Sequence, residues 1–245
     1  HDGGGQHRAH PRGRQPGRRQ PVSAPALVAS FVLGAAGGVV AAWIADTVLA
    51  ARDDAPPAAP RWVPAASAVV GAGLFPLAVW VAGDVWLVPA FVGFAVLTLA
   101  LTVTDLRAQL IPDRINLPGS AACAVLLGLG AFAAGQQAAL GRAALGAVVW
   151  AAFALILFVA GRGRSFGFGD VKLAPVLGLF TAFEGWEAFG VGIFAGIVVG
   201  GAAALVLVVA RLRAAQDHFA FGPALIAGAW IGLTLGDRLA TWYLG

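Results

Sequence analysis

The chain has 245 residues and a formal net charge of +4, and 59% of its residues are hydrophobic while only 11% are charged. A soluble domain of this length does not need so apolar a composition, which excludes that class and predicts a membrane protein. The single cysteine, Cys123, excludes an intrachain disulfide and a cysteine cluster for zinc.

Residues 1–24 form a separate compositional zone, rich in arginine among glycine, glutamine, proline and histidine. Such a segment cannot bury apolar surface, so it is predicted to be a disordered basic tail. Arginine-rich tails can bind anionic lipid or nucleic acid, but a solvated terminus is the favoured interpretation, and no nucleic-acid partner is expected. Residues 25–245 are the predicted transmembrane domain.

Apolar segments recur along the rest of the chain, several of them about as long as the roughly 20 residues that cross a bilayer. They are predicted to be helices, because open strands cannot satisfy their backbone hydrogen bonds in lipid. The predicted fold is therefore all-α, a polytopic transmembrane helix bundle of about eight spans. The segments are 26–50, 64–82, 85–104, 119–135, 143–160, 171–183, 188–210 and 224–243.

Basic residues predict the orientation of these spans, since short cytoplasmic loops carry an excess of Lys and Arg. The loops after spans one, three, five and seven contain nine basic residues, whereas the opposite side contains only Arg142 and Arg238. The first set is therefore predicted to be cytoplasmic. Its members are Arg52, Arg61, Arg107, Arg114, Arg162, Arg164, Lys172, Arg211 and Arg213.

Two aspartates lie at the edges of predicted spans on this same side. Asp105 ends the third span, and Asp170 follows Gly167-Phe168-Gly169. A carboxylate near the hydrocarbon boundary is unfavourable unless something uses it, which makes each a candidate functional residue. For Asp170 alone, an N-cap of the next helix is the favoured interpretation. For Asp105 alone, a solvated helix end is equally compatible with the residues.

Three further polar residues have structural interpretations. Pro112 ends any helix before it, and Asp113 is interpreted as a cap of the segment that follows. Asp46, within the first span, is a candidate polar contact inside the bundle.

Two carboxylates at close range cannot both ionise easily, so one keeps a proton. The ionised group can take a proton from a water that attacks a peptide carbonyl, and the protonated group can donate to the oxyanion or the leaving amine. Their titration belongs to the pair, so neither can be assigned as the acid from sequence.

Three stretches occur in the order of motifs in the type IV prepilin leader peptidase family, the GxGD aspartic membrane peptidases, and resemble those motifs closely. They are Thr104 to Gly119 with its Asp105 and Ile111-Pro112-Asp113, then Gly167-Phe168-Gly169-Asp170-Val171-Lys172-Leu173, then Phe221-Gly222-Pro223-Ala224-Leu225. The resemblance covers roughly residues 60–243.

The resemblance implies that Asp105 and Asp170 are the catalytic pair. It also implies cleavage of type IV prepilin or pseudopilin-like precursors, between a basic leader and a hydrophobic helix, at the cytoplasmic face of the bacterial inner membrane. The expected partners are these precursors and the lipid bilayer, and neither a metal nor another cofactor is expected. Residues expected to bind substrate or shape the site are Gly167, Gly169, Lys172, Pro112, Asp113, Gly222 and Pro223.

The chain departs from the larger members of that family in one loop. Those members carry an insert with paired cysteines between the first two spans, and they methylate the new N-terminus with S-adenosylmethionine. Here the corresponding loop runs only from about Arg52 to Val63 and has no cysteine. The resemblance is therefore to a short, peptidase-only form.

Two alternatives are less well matched. Presenilin-like and signal-peptide-peptidase-like proteases share Gly-x-Gly-Asp, and Pro223-Ala224-Leu225 matches their later motif, but Ile-Pro-Asp and Asp-x-Lys-Leu argue against them. A transporter or proton channel would use Asp46, Asp105 and Asp170 as relay sites, and it would produce flux without peptide cleavage.

Overall fold

The computed structural model describes residues 24–161, 166–210 and 221–244, and this part of the chain forms eight α-helices without strands. The predicted basic tail lies outside the described residues, except for Ala24. In chain order the helices are α1 (Ala24–Ala50), α2 (Trp62–Ala82), α3 (Val88–Ala108), α4 (Asp113–Ala133), α5 (Ala138–Ala160), α6 (Phe168–Glu184), α7 (Trp186–Val209) and α8 (Gly222–Leu244).

Six of these helices are long and apolar enough to cross a membrane, namely α1 to α5 and α7. The predicted fold class, an all-α transmembrane bundle, is confirmed. The two remaining helices are α6, which has only 17 residues, and α8. Both belong to the same packed bundle, since α6 contacts α5 and α8 contacts α7 along their lengths.

The centre of the bundle is α3. Of its apolar window 67% is buried, compared with 17–33% in the other five spanning helices. Phe94 of α3 stacks on Phe180 of α6, with ring centroids 4.3 Å apart, and lies 5.4 Å from the ring of Trp230 in α8. Such aromatic contacts add to the apolar area buried. Helices α3, α6 and α8, which carry the motif residues, thus share one core.

Small residues let α7 and α8 approach closely. A Cβ added to Gly192 would lie 3.5 Å from the Cα of Ala229, and one added to Gly196 would lie 3.2 Å from the Cα of Leu225. Gly192 and Gly196 are four residues apart, so they share one face of α7, and this face packs against α8. The close pair of helices fixes where α8 begins, and its first residue lies at the candidate site.

Candidate active site

Asp105 lies in the last turn of α3 and is 5% exposed. The backbone N–H of Gly222 donates a hydrogen bond of 3.1 Å to its Oδ2 atom. Gly222 is the first residue of α8, where backbone N–H groups have no partner within the helix and the helix dipole favours an anion. The chain thus holds the Asp105 carboxylate against the start of a distant helix.

Asp170 lies in the first turn of α6 and is also 5% exposed. Gly167 is the N-cap, and its N–H donates a 3.0 Å hydrogen bond to Oδ2 of Asp170, while the N–H of Asp170 donates to the carbonyl of Gly167 at 3.1 Å. The N-cap interpretation of Asp170 was therefore wrong. Its side chain instead reaches back from the third helical position, as the acidic residue of a capping box does.

The two aspartates are linked through Ile111, which lies beside Gly169, the neighbour of Asp170, and beside Gly222, the donor to Asp105. Ile111 packs between the backbones that support them. A Cβ added to Gly169 would lie 3.1 Å from Cβ of Ile111, and one added to Gly222 would lie 3.2 Å from its Cδ1 and only 2.7 Å from Oδ2 of Asp105. The absence of side chains at Gly169 and Gly222 therefore makes room for Ile111 and, at Gly222, for the carboxylate.

A tight reversal after α3 brings Ile111 to this position. Gln109 ends α3 in the left-handed region, with φ 51°, and its N–H donates to the carbonyl of Asp105 at 2.8 Å. Pro112 is the N-cap of α4 in an extended conformation, and its carbonyl accepts from the N–H groups of Ile115 and Asn116. Pro112 thus starts α4 through its backbone.

The N-cap of α4 is Pro112 and Asp113 is the first residue of the helix, so the predicted role of Asp113 as a cap was wrong. Both of its carboxylate oxygens accept from Nζ of Lys172 at 2.8 Å. The Nζ atom also lies 5.0 Å from the ring centroid of Phe168.

Pro223 is the second residue of α8, where a missing N–H costs no intrahelical bond.

Sequence reasoning missed three residues near the site. They are Ile111, Asn116 and Arg107. Asn116 is 1% exposed and donates to the carbonyl of Lys172 at 2.9 Å. Arg107 donates to Asp46 at 2.7 Å and to the carbonyl of Pro57 at 2.8 Å. For Asn116 the sequence did hold a signal, since an asparagine at the start of an apolar segment is unusual. The partners of Arg107 are 61 and 50 residues away, beyond any local pattern.

A cavity of about 490 Å³ opens beside the site. Because residues from the end of α1, the α3–α4 connection and α6 all line it, these parts lie at the same end of the bundle. In its wall the Arg52 guanidinium binds Asp54 at 2.8 Å and holds the pKa of that exposed carboxyl below its usual range. Ile111 also lines the cavity. The lining residues are Val48, Ala51, Arg52, Asp53, Asp54, Leu110, Ile111, Pro112, Asp113, Arg114 and Lys172.

Chemically, two buried carboxyl groups that share one water molecule can exchange protons with it. Each receives one backbone N–H, which leaves further oxygen lone pairs for water or substrate. Within the three described ranges, no group of three His, Cys, Asp or Glu side chains is placed to hold a metal ion.

A model of the Type IV leader peptidase family matches residues 91–236, more than half of the chain. The chain is 35% identical over 179 residues to the prepilin leader peptidase/N-methyltransferase of Neisseria gonorrhoeae, covering 70% of this chain and 58% of that protein. It is 34% identical over 172 residues to the protein of the same name from Pseudomonas aeruginosa, covering 67% and 56%. With the Aeromonas hydrophila protein, the identity is 32% over 146 residues, covering 60% and 49%.

The chain thus spans about half the length of the curated relatives it matches. No solved structure matches it. The matched region, residues 91–236, contains Asp105, Asp170 and Gly222.

Proposed function

The chain belongs to the Type IV leader peptidase family, and from that premise we propose that it is an aspartic endopeptidase with Asp105 and Asp170 as its catalytic pair. Its substrates are type IV prepilin or pseudopilin-like precursors, from which it removes the leader. The observation that carries this proposal is a pair of buried carboxylates from separate motifs, each held by one backbone N–H and linked through Ile111.

In the proposed mechanism one carboxyl of the pair is ionised and the other is protonated. The ionised group takes a proton from a water molecule, whose oxygen attacks the scissile carbonyl, and the protonated group donates to the oxygen of that carbonyl. In the collapse of the tetrahedral diol the C–N bond breaks, the carboxyl that took the proton of water gives it to the leaving amine, and the other carboxylate takes a proton from a diol hydroxyl, so both groups return to their starting states. Burial of both carboxyls favours sharing a single proton, because two adjacent charges would be poorly solvated.

The proposal is tested with Asp105→Asn and Asp170→Asn in the purified, full-length protein, using a prepilin-like precursor in lipid nanodiscs. We expect each variant to lose cleavage by at least about 1,000-fold, since an amide can neither accept nor share the proton that the mechanism requires. Asp84→Asn is the control, because Asp84 lies in the α2–α3 turn, away from the candidate site, and its side chain accepts from the N–H of Trp86. Cleavage retained by either of the first two variants would refute the pair.

We propose peptidase activity without methyl transfer, because the short α1–α2 connection has no cysteine. In the same reactions, supplied with S-adenosylmethionine, mass spectra of the cleaved product should show an unmodified N-terminus. An N-methylated product would contradict this part of the proposal alone.

We further propose that the membrane is the bacterial inner membrane and that the end of the bundle holding Asp105 and Asp170 faces the cytoplasm. The support is the excess of basic residues in the connections at that end, which include Arg52, Arg61 and Arg114. Single cysteines at Gln109 and Gln136, in a Cys123→Ala background, test it. An impermeant thiol reagent added to intact spheroplasts should label position 136 and leave position 109 unlabelled, whereas the reverse pattern would overturn the orientation.

A further inference from the structure

We infer that Lys172 and Asp113 are positioning residues whose ion pair, together with the Asn116 hydrogen bond, holds the start of α6 against the segment that follows α3. The inference deepens the proposed function and rests on it, because the two parts so joined carry Asp170 and Asp105. Neither side chain takes part in proton transfer.

The ion pair of Lys172 and Asp113 lies close to both aspartates. Lys172 follows Asp170 by two residues on the same helix, and Asp113 follows Ile111 by two residues. Ile111 in turn packs against the positions of Gly169 and Gly222. One ion pair therefore connects the helix start that carries Asp170 to the turn that closes around Asp105.

A second contact, made by Asn116, joins the same two segments. The Asn116 side chain donates to the backbone carbonyl of Lys172 at 2.9 Å, and its own Oδ1 accepts from Ser120 at 3.2 Å. Since Asn116 is 1% exposed, its amide is oriented by these partners and not by water. Side chain and backbone of Lys172 are thus both bound to the first turn of α4.

The same contacts argue against direct substrate binding by this pair. Both Asp113 oxygens accept from Nζ of Lys172, and the Nζ atom also lies over the Phe168 ring, so the two charges already neutralise each other. The side chains are partly exposed, 31% for Lys172 and 51% for Asp113. Pairs of that kind contribute little to overall stability. Their effect is expected in geometry, where small displacements of reacting groups have large consequences for rate.

The test is a charge exchange with a matched control. Lys172→Glu and Asp113→Lys are made singly and together, and steady-state cleavage of a prepilin-like precursor is measured. Each single variant should lower kcat by roughly 10- to 100-fold, as expected for a displacement approaching 1 Å, with KM changed less than about threefold. The double variant, which restores opposite charges, should recover at least about tenfold of the lost kcat.

The control is the Arg52–Asp54 pair, which has the same 2.8 Å separation and lines the same cavity but joins no motif helix. Arg52→Glu should leave kcat within about twofold of the wild type, as is usual for surface substitutions. A rise in KM with kcat unchanged in the Lys172 and Asp113 variants, or a double variant no better than either single one, would overturn the inference. Both results would leave the proposed peptidase activity standing if the wild type cleaves.

A measurement independent of cleavage keeps the inference testable if the wild type proves inactive, a result that would count against the proposed function. Spin labels at Leu106, which is 66% exposed at the end of α3, and Val159, which is 64% exposed at the end of α5 beside α6, report the separation of the two helix ends. The wild type and the double variant should give one narrow distance distribution, and Lys172→Glu a broader or shifted one. An unchanged distribution in Lys172→Glu would overturn the link.

Discussion

The two aspartates differ in the sequence separation from the residue whose backbone N–H binds the carboxylate. The N–H that binds Asp170 belongs to a residue three positions earlier, in the cap of the same helix. The N–H that binds Asp105 comes from Gly222, 117 residues later. The carboxylate of Asp170 is thus bound by the cap of its own helix, whereas the donor for Asp105 depends on the packing of α8 against α3. Changes at a distance should therefore affect the two carboxylates unequally.

The largest effect is expected from Gly222→Ala. The added Cβ would lie 2.7 Å from Oδ2 of Asp105, so either the carboxylate or the start of α8 must move. A displacement of about 1 Å should lower kcat roughly 100-fold, because the reacting groups lose their alignment. The fall in kcat is measured from cleavage of a prepilin-like precursor by the purified variant.

Gly167→Ala is the matched control for that variant. Its Cβ would lie 3.4 Å from Oδ2 of Asp170, an ordinary contact, and the φ of −80° suits alanine. We expect kcat to fall by no more than about twofold, as for other tolerated substitutions. If both alanine variants lose activity equally, the difference between distant and local support is refuted.

A smaller effect is expected from Arg107→Gln. Arg107 joins the end of α3 to Asp46 of α1 and to the carbonyl of Pro57, so it restrains the turn that carries Asp105. Its loss should lower kcat roughly tenfold by loosening that turn. Asp46→Asn keeps an acceptor for Arg107 and should cost much less, since the Asp46 side chain is 46% exposed. Equal losses in both variants would assign the effect to charge instead of geometry.

The smallest effect on catalysis is expected at the other end of α6. Arg142 donates to the carbonyls of Ala182, Phe183 and Glu184, in the last turn of α6, where a helix runs out of backbone donors of its own. Arg142→Gln should lower the free energy of unfolding by about 2 kcal/mol, seen as a lower Tm in detergent, because buried carbonyls lose charged donors. The folded fraction should cleave normally, since Asp170 is supported at the opposite end.

Arg61→Gln is the control for Tm, because Arg61 is exposed at the start of α2 and makes no side-chain cap bond. A loss of kcat in Arg142→Gln with Tm unchanged would show that Asp170 also depends on contacts at the far end of α6.

The helices could be predicted from sequence because apolar runs of membrane length have few alternatives. The bounds were less accurate where a helix begins with polar residues. The fourth apolar segment was predicted from residue 119, whereas α4 begins at Asp113, because its first turn contains Asp113, Arg114 and Asn116. A search for hydrophobicity passes over such a turn, although two of its polar side chains, Asp113 and Asn116, bind Lys172 of α6.

The ordered motifs predicted which residues meet, since Gly167, Gly169 and Gly222 do lie beside the two aspartates. The catalytic role of Asp105 and Asp170 remains a prediction. The ion pair of Asp113 with Lys172 and the contacts of Arg107 were not predicted, because each joins residues at least 50 positions apart. Spacing along one helix carries no information about such pairs, and only the packed structure identifies them.

The bond between Gly222 and Asp105 also has a consequence for biosynthesis. A ribosome adds about 5 to 20 residues per second, so the donor for Asp105 emerges roughly 6 to 23 s after the aspartate itself. During that interval α3 and α6 can insert and pack, yet the Asp105 carboxylate lacks its partner until α8 follows. A nascent chain still leaving the translocon therefore has an unfinished pair of carboxyls, and Asp105 gains its backbone donor only when α8 packs into the bundle.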